Sequence, residues 1–207
     1  MMSKKDRVKT EGVFLHRVNR RSRGIPSREI LAVDPGVSTG ISRWIEYSGG
    51  KVRVDVAEIR CDTNKYDSND ARGYLPVTDL LDLELNIMAG AHPSRNCTVV
   101  CEEFTITGRT LKTKLERASL IIRDWLAIEC ARRGIPFVLQ TAVKGKTLNS
   151  MEVVKAIDPG LWVPGHIDSH DSSRHIVAYL REHPTPAFKE RLNEYGLKKD
   201  REWNNGT

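Results

Sequence analysis

A chain of 207 residues with 39% apolar and 29% charged residues and a mean hydropathy of −0.43 can bury one hydrophobic core and keep a solvated surface. That balance excludes a low-complexity or collagen-like chain, and no apolar run approaches the roughly 18 residues a membrane-spanning helix requires. The net charge of +6 is uneven: residues 1–28 hold nine Lys/Arg against Asp6 and Glu11, and the remainder holds 24 basic against 25 acidic residues.

In chain order, residues 1–28 therefore read as a basic tail. A basic arm ahead of a neutral body contacts an anionic polymer, nucleic acid foremost; the bland alternative is a solvated tail without a partner. The segment has no apolar core or small-residue cleavage site of a secretory signal, so a cytoplasmic address is expected. Glu29 to Val33 reads as a short strand ended by Asp34-Pro35-Gly36. Strands follow over Ile41 to Tyr47 and Val52 to Ile59, separated by Ser48-Gly49-Gly50, so three antiparallel strands open the fold. Cys61 to Gly73 reads as a polar loop, Leu75 to Met88 as a helix and Thr98 to Phe104 as a strand. Over Thr110 to Arg133 the residues Leu111, Leu115, Ala118, Ile122, Trp125 and Leu126 share one helical face. Gly134 and Pro136 end that helix. A strand over Ile135 to Gln140, a Lys/Gly-rich loop, a short helix over Ser150 to Ile157 and a core helix over Asp168 to Arg181 complete the pattern. Residues 183–207 read as a charged peripheral appendage. The order describes a mixed α/β sheet flanked by helices, with residues 29–182 as its domain. Cys61, Cys97, Cys101 and Cys130 form no C-x-x-C pair and read as reduced and structural.

Three places carry chemistry. Asp34 ends a buried strand at a D-P-G-V-S-T-G turn, where it is either a site carboxylate or the cap of its own turn. Glu102 closes Thr98-Val99-Val100-Cys101 in the same manner; Glu103 follows, and strand alternation lets only one of the two face Asp34, with Glu102 the choice. Asp168 and Asp171 lie three residues apart at a helix start, where N-capping is the competing explanation. Acids from three distant segments crowd together only if a divalent cation neutralises them, and oxygen ligands suit Mg²⁺ or Mn²⁺. Two such ions match phosphodiester hydrolysis. Zinc is disfavoured because the cysteines and histidines lack ligand spacing.

These segments resemble a known family, the RuvC-type Holliday-junction resolvases in their divergent, phage-encoded branch. The resemblance spans about residues 29 to 182. It rests on I-L-A-V-D-P-G-V-S-T-G around Asp34, T-V-V-C-E around Glu102, Q-T-A-V-K-G around Lys144, and D-S-H-D-S-S-R-H-I-V-A-Y-L around Asp168 and Asp171. It implies a ribonuclease H-like five-stranded mixed sheet, a homodimer, and Mg²⁺-dependent paired incisions in a four-way DNA junction, in the host cytoplasm if the chain is phage-encoded. It further implies Asp34, Glu102, Asp168 and Asp171 as ligands of two Mg²⁺ ions, with Mn²⁺ able to substitute, and Lys144 as a phosphate-contacting or catalytic lysine. Thr141 stands where the family usually has proline.

Arg109, Lys112, Lys114, Arg117 and Arg123, together with Lys144 and Lys146, are the expected DNA contacts; a solvated helix face is the alternative for those on the long helix. Competing functions are a nuclease acting on RNA/DNA hybrids or flaps, a 3′ exonuclease, and a non-catalytic DNA-binding protein. An actin-like ATPase reading of Asp34 to Gly40 lacks a second glycine-rich phosphate loop.

Overall fold

The computed structural model describes residues 13–17, 26–61, 71–90, 96–104, 114–146 and 149–205. Six strands, β1 (Val13–Arg17), β2 (Pro26–Asp34), β3 (Ser38–Tyr47), β4 (Val52–Arg60), β5 (Asn96–Glu103) and β6 (Phe137–Thr141), form one sheet in the order β1-β4-β3-β2-β5-β6. β2, β3 and β4 are an antiparallel meander, and β5 and β6 run parallel to β2. The helices are α1 (Leu75–Ala89), α2 (Lys114–Arg133), α3 (Ala142–Lys146), α4 (Met151–Ile157), α5 (Ile167–Glu182) and α6 (Pro186–Asn205). A three-stranded meander continued by two parallel strands, reached through the α1 and α2 crossovers, is the ribonuclease H-like arrangement.

The apolar runs of β2 and β5 are unbroken because helices cover both faces of these central strands. Leu31, Val33, Val99 and Cys101 face α1 and α2, meeting Leu81, Leu85, Ile122 and Leu126. Ile30, Ala32 and Val100 face the other way, meeting Val154 of α4, Ile176, Val177 and Leu180 of α5, and Phe188 of α6. On the first side, buried Glu29 and Glu84 both pair with Arg43, tying α1 to the sheet. All four cysteines are free thiols, three of them buried. Among the described residues no helix is long and apolar enough to cross a membrane.

Two expectations at the termini need correction. The segment read as a basic tail contains β1, which pairs antiparallel with β4 (Val13 opposite Ile59, Arg17 opposite Asp55), and β2 begins at Pro26. A sixth strand thus joins the five expected, because the open edge of β4 offers backbone partners that a charge count does not reveal. The C-terminal appendage is α6, whose first turn buries Ala187 and Phe188 in the core.

Candidate active site

The two central strands deliver the first two carboxylates. Val33 and Cys101 are partners in the parallel β2/β5 register and share the α1/α2 face. Asp34 and Glu102, each one residue further, therefore lie side by side on the opposite face, with backbones about 4.8 Å apart. Glu102 is 8% exposed, whereas Glu103 is an exposed residue on the other face, which fixes Glu102 as the inward carboxylate. Pro35 then ends β2, since it has no N–H to continue a ladder.

The helix start delivers the third. Asp34 is partnered across the antiparallel register with Gly40, and a Cβ on Gly40 would stand 1.9 Å from the Asp168 carbonyl oxygen. Only glycine lets α5 lie this close to the sheet. Small hydroxyl side chains complete the contact: Ser42 Oγ lies 2.7 Å from both Ser172 Oγ and Ser173 Oγ and donates to the Ser169 carbonyl at 3.2 Å, all fully buried. Asp34, Glu102 and the N-terminus of α5 thus meet at one edge of the sheet.

Behind this edge sits a buried polar chain. His175 is fully buried, with Nε2 at 3.0 Å from Glu102 Oε2 and Nδ1 at 3.0 Å from Gln140 Oε1. Gln140 is the register partner of Glu102 on β6. With its oxygen toward the ring, Gln140 leaves its own buried Nε2 without a partner. Turning the amide over would point that nitrogen at Nδ1 instead, and in either arrangement His175 Nε2 donates to Glu102. No sequence signal announces the chain, because its members lie 73 and 35 residues apart.

The side chains are otherwise engaged. Asp171 accepts from Arg174 Nη1 at 2.8 Å, while Glu102 faces His175. Among the described residues, no three Asp, Glu, His or Cys side chains stand together closely enough to hold a metal ion as placed. The donor chemistry nevertheless fits a hard cation: two carboxylates end adjacent strands beside a helix start that bears two more, all of them oxygen donors.

The expected cations are distributed differently. Lys144 pairs with Glu182, fourteen residues and about 21 Å along α5 from Asp168 at the usual rise per residue. Arg109 and Lys112 lie outside the described residues, as do the side chains of Lys114 and Lys146. Arg117 stands near Tyr74 on the α1/α2 side, and Arg123 pairs with Asp124 at 2.6 Å. Nearer the acidic edge is a group that sequence reasoning missed. Trp162 stacks on His170 (centroids 3.7 Å, 13°), with Arg174 5.3 Å and Lys155 5.8 Å from the indole centroid. The spacing of His170 and Arg174 by one helical turn was its one visible sign.

No family model matches the chain, and no curated protein matches it. Among solved structures, Thermus thermophilus RuvC in complex with a Holliday junction substrate aligns at 13% identity and a TM-score of 0.49, over 75% of this chain and 96% of that one. The same protein alone aligns at 13% identity and a TM-score of 0.46 with the same coverage, and the yeast mitochondrial Holliday junction resolvase at 15% and 0.41, over 85% of this chain and 86% of that one.

Proposed function

We propose that the protein is a Mg²⁺-dependent endonuclease that cuts branched DNA, the four-way junction foremost. One observation supports the reading: Asp34 and Glu102 end adjacent strands on the sheet face against which the start of α5, bearing Asp168 and Asp171, is packed, a set of oxygen donors suited to a hard cation. In this reading Asp34, Glu102, Asp168 and Asp171 are the ligands of two Mg²⁺ ions, for which Mn²⁺ can substitute. When bound, such ions activate a water and stabilise the leaving oxygen of a phosphodiester. The chain's own residues supply the rest. Asp34 and Glu102 are held by strand backbone, and α5 is fixed against β3 at Gly40 and Ser42. Arg174 turns from Asp171 to a DNA phosphate and so frees that carboxylate, while Lys155 lies near enough to contact the same strand. Arg109, Lys112, Lys114, Arg117, Lys144 and Lys146 remain proposed contacts further along the DNA.

The substrate is symmetric, and a second copy of this chain supplies the second incision. α2 exposes Ile121 (41%) and Ile128 (60%), seven residues apart on one side of the helix, as the surface for that copy. A substrate panel tests the reading: a four-way junction, a flap, a linear duplex and an RNA/DNA hybrid, each with and without Mg²⁺. Two nicks placed symmetrically about the branch, formed only with Mg²⁺, are expected. Preferential cutting of the flap or the hybrid contradicts the junction assignment, and metal-independent products contradict the chemistry.

A further inference from the structure

We infer that His175, clamped by Gln140, is a positioning residue that fixes Glu102 in the orientation a cation at the sheet edge requires. The inference rests on the nuclease reading and deepens it. Position comes first: His175 follows Asp168 by seven residues, two helical turns, so the face of α5 that brings Asp168 to the site also carries the ring that meets Glu102. The ring cannot turn away. Gln140 meets its other nitrogen from β6, and α3 closes over it so tightly that a Cβ on Gly145 would stand 2.5 Å from His175 Cε1.

Folding alone gives no reason for an imidazole at this point. Its neighbours on α5, Ile176 and Val177, belong to the apolar core, and a buried polar ring costs stability unless each nitrogen is matched. Here one nitrogen meets the carboxylate and the other meets a residue in register with that carboxylate. Two strands and one helix thus hold Glu102 Oε2, which limits how the carboxylate presents itself at the sheet edge. Groups that orient metal ligands in this way typically govern metal affinity or activity by about 10- to 100-fold.

The test compares His175→Leu, Gln140→Leu and the donor-retaining His175→Gln with the parent chain and with Glu102→Gln. Two quantities are measured: the thermal shift on adding Mn²⁺ without DNA, and the Mg²⁺ concentration that half-saturates cleavage of a four-way junction. The two leucine variants should need about ten-fold more metal and show a smaller Mn²⁺ shift, with metal-free junction binding unchanged and His175→Gln closer to the parent. Should His175→Leu fail to fold, Gln140→Leu carries the test, because it removes the clamp and keeps the ring. Folded leucine variants with the parent's Mn²⁺ shift and metal dependence overturn the positioning role. If Glu102→Gln also leaves both quantities unchanged, the nuclease reading falls with it; if Glu102→Gln abolishes them while the leucine variants do not, only the positioning role falls.

Discussion

Gly40 sets the distance between the sheet and the candidate site. A methyl group there meets the Asp168 carbonyl at 1.9 Å, and backbone cannot give way as a flexible side chain does. Gly40→Ala should therefore lift the start of α5, lower stability by about 1–3 kcal/mol or more in urea denaturation, and reduce cleavage; an unchanged urea midpoint would contradict this packing. The buried thiols give a pH dependence. Burial pushes Cys61 up to about 11 and Cys130 up to about 12 from the ordinary 9.0, so the folded chain keeps protons that the unfolded chain releases. Their contribution to stability is complete below about pH 9 and is lost as pH rises through the 9-to-12 window. Replacing Cys61 with alanine should flatten the fall in urea midpoint over that window, and an equally steep fall would contradict it. In the sequence Asp34 and Glu102 are marked by apolar runs that stop at them, and Asp168 and Asp171 by their place at a helix start. His175 and Gln140 were not, because their meaning lies in a contact across the fold. Lys144 was read from its surrounding motif, but an ion pair with Glu182 takes its side chain toward the far end of α5.

Among the elements, those with a period were legible: the strands of the meander, the apolar strand β5, and the helices α1, α2 and α5 stand close to where alternation and helical spacing put them. β1 was hidden beneath the charge of its surroundings, and α3 beneath a Lys/Gly-rich composition that reads as loop. α6 was missed because its burial is concentrated in one turn. Phe188 is 1% exposed, and Arg191 anchors the next turn to Asp158 at 2.7 Å, its guanidinium lying 5.3 Å from the Trp44 ring centroid. Phe188→Ala should accordingly cost about 3–5 kcal/mol, read as a lowered urea midpoint, whereas a true peripheral appendage would lose almost nothing. On the other side of the sheet, Arg43→Met removes the guanidinium that Glu29 and Glu84 share and leaves both buried carboxylates without it. A loss of about 3–5 kcal/mol is expected there, and a neutral result would show that this guanidinium does not tie α1 to the sheet.

At the scale of the whole molecule, the sheet separates two tasks. One face, under α1 and α2, is apolar core with an exposed stripe on α2; the other seats α5 and, at its edge, the carboxylates of β2 and β5. The fold class was legible because a meander followed by alternating strands and helices admits few arrangements. The geometry of the edge was not, since it depends on register, and register is set by pairings that a linear sequence does not display. Joint action of these carboxylates through bound Mg²⁺ is the proposed basis of cutting. Its most direct test is cleavage of a synthetic four-way junction by Asp34→Asn, a change that keeps the size of the side chain and removes its charge. Mg²⁺-dependent nicking should disappear while the variant still binds the junction with the parent's affinity; nicking at the parent's rate would rule out joint action of the carboxylates.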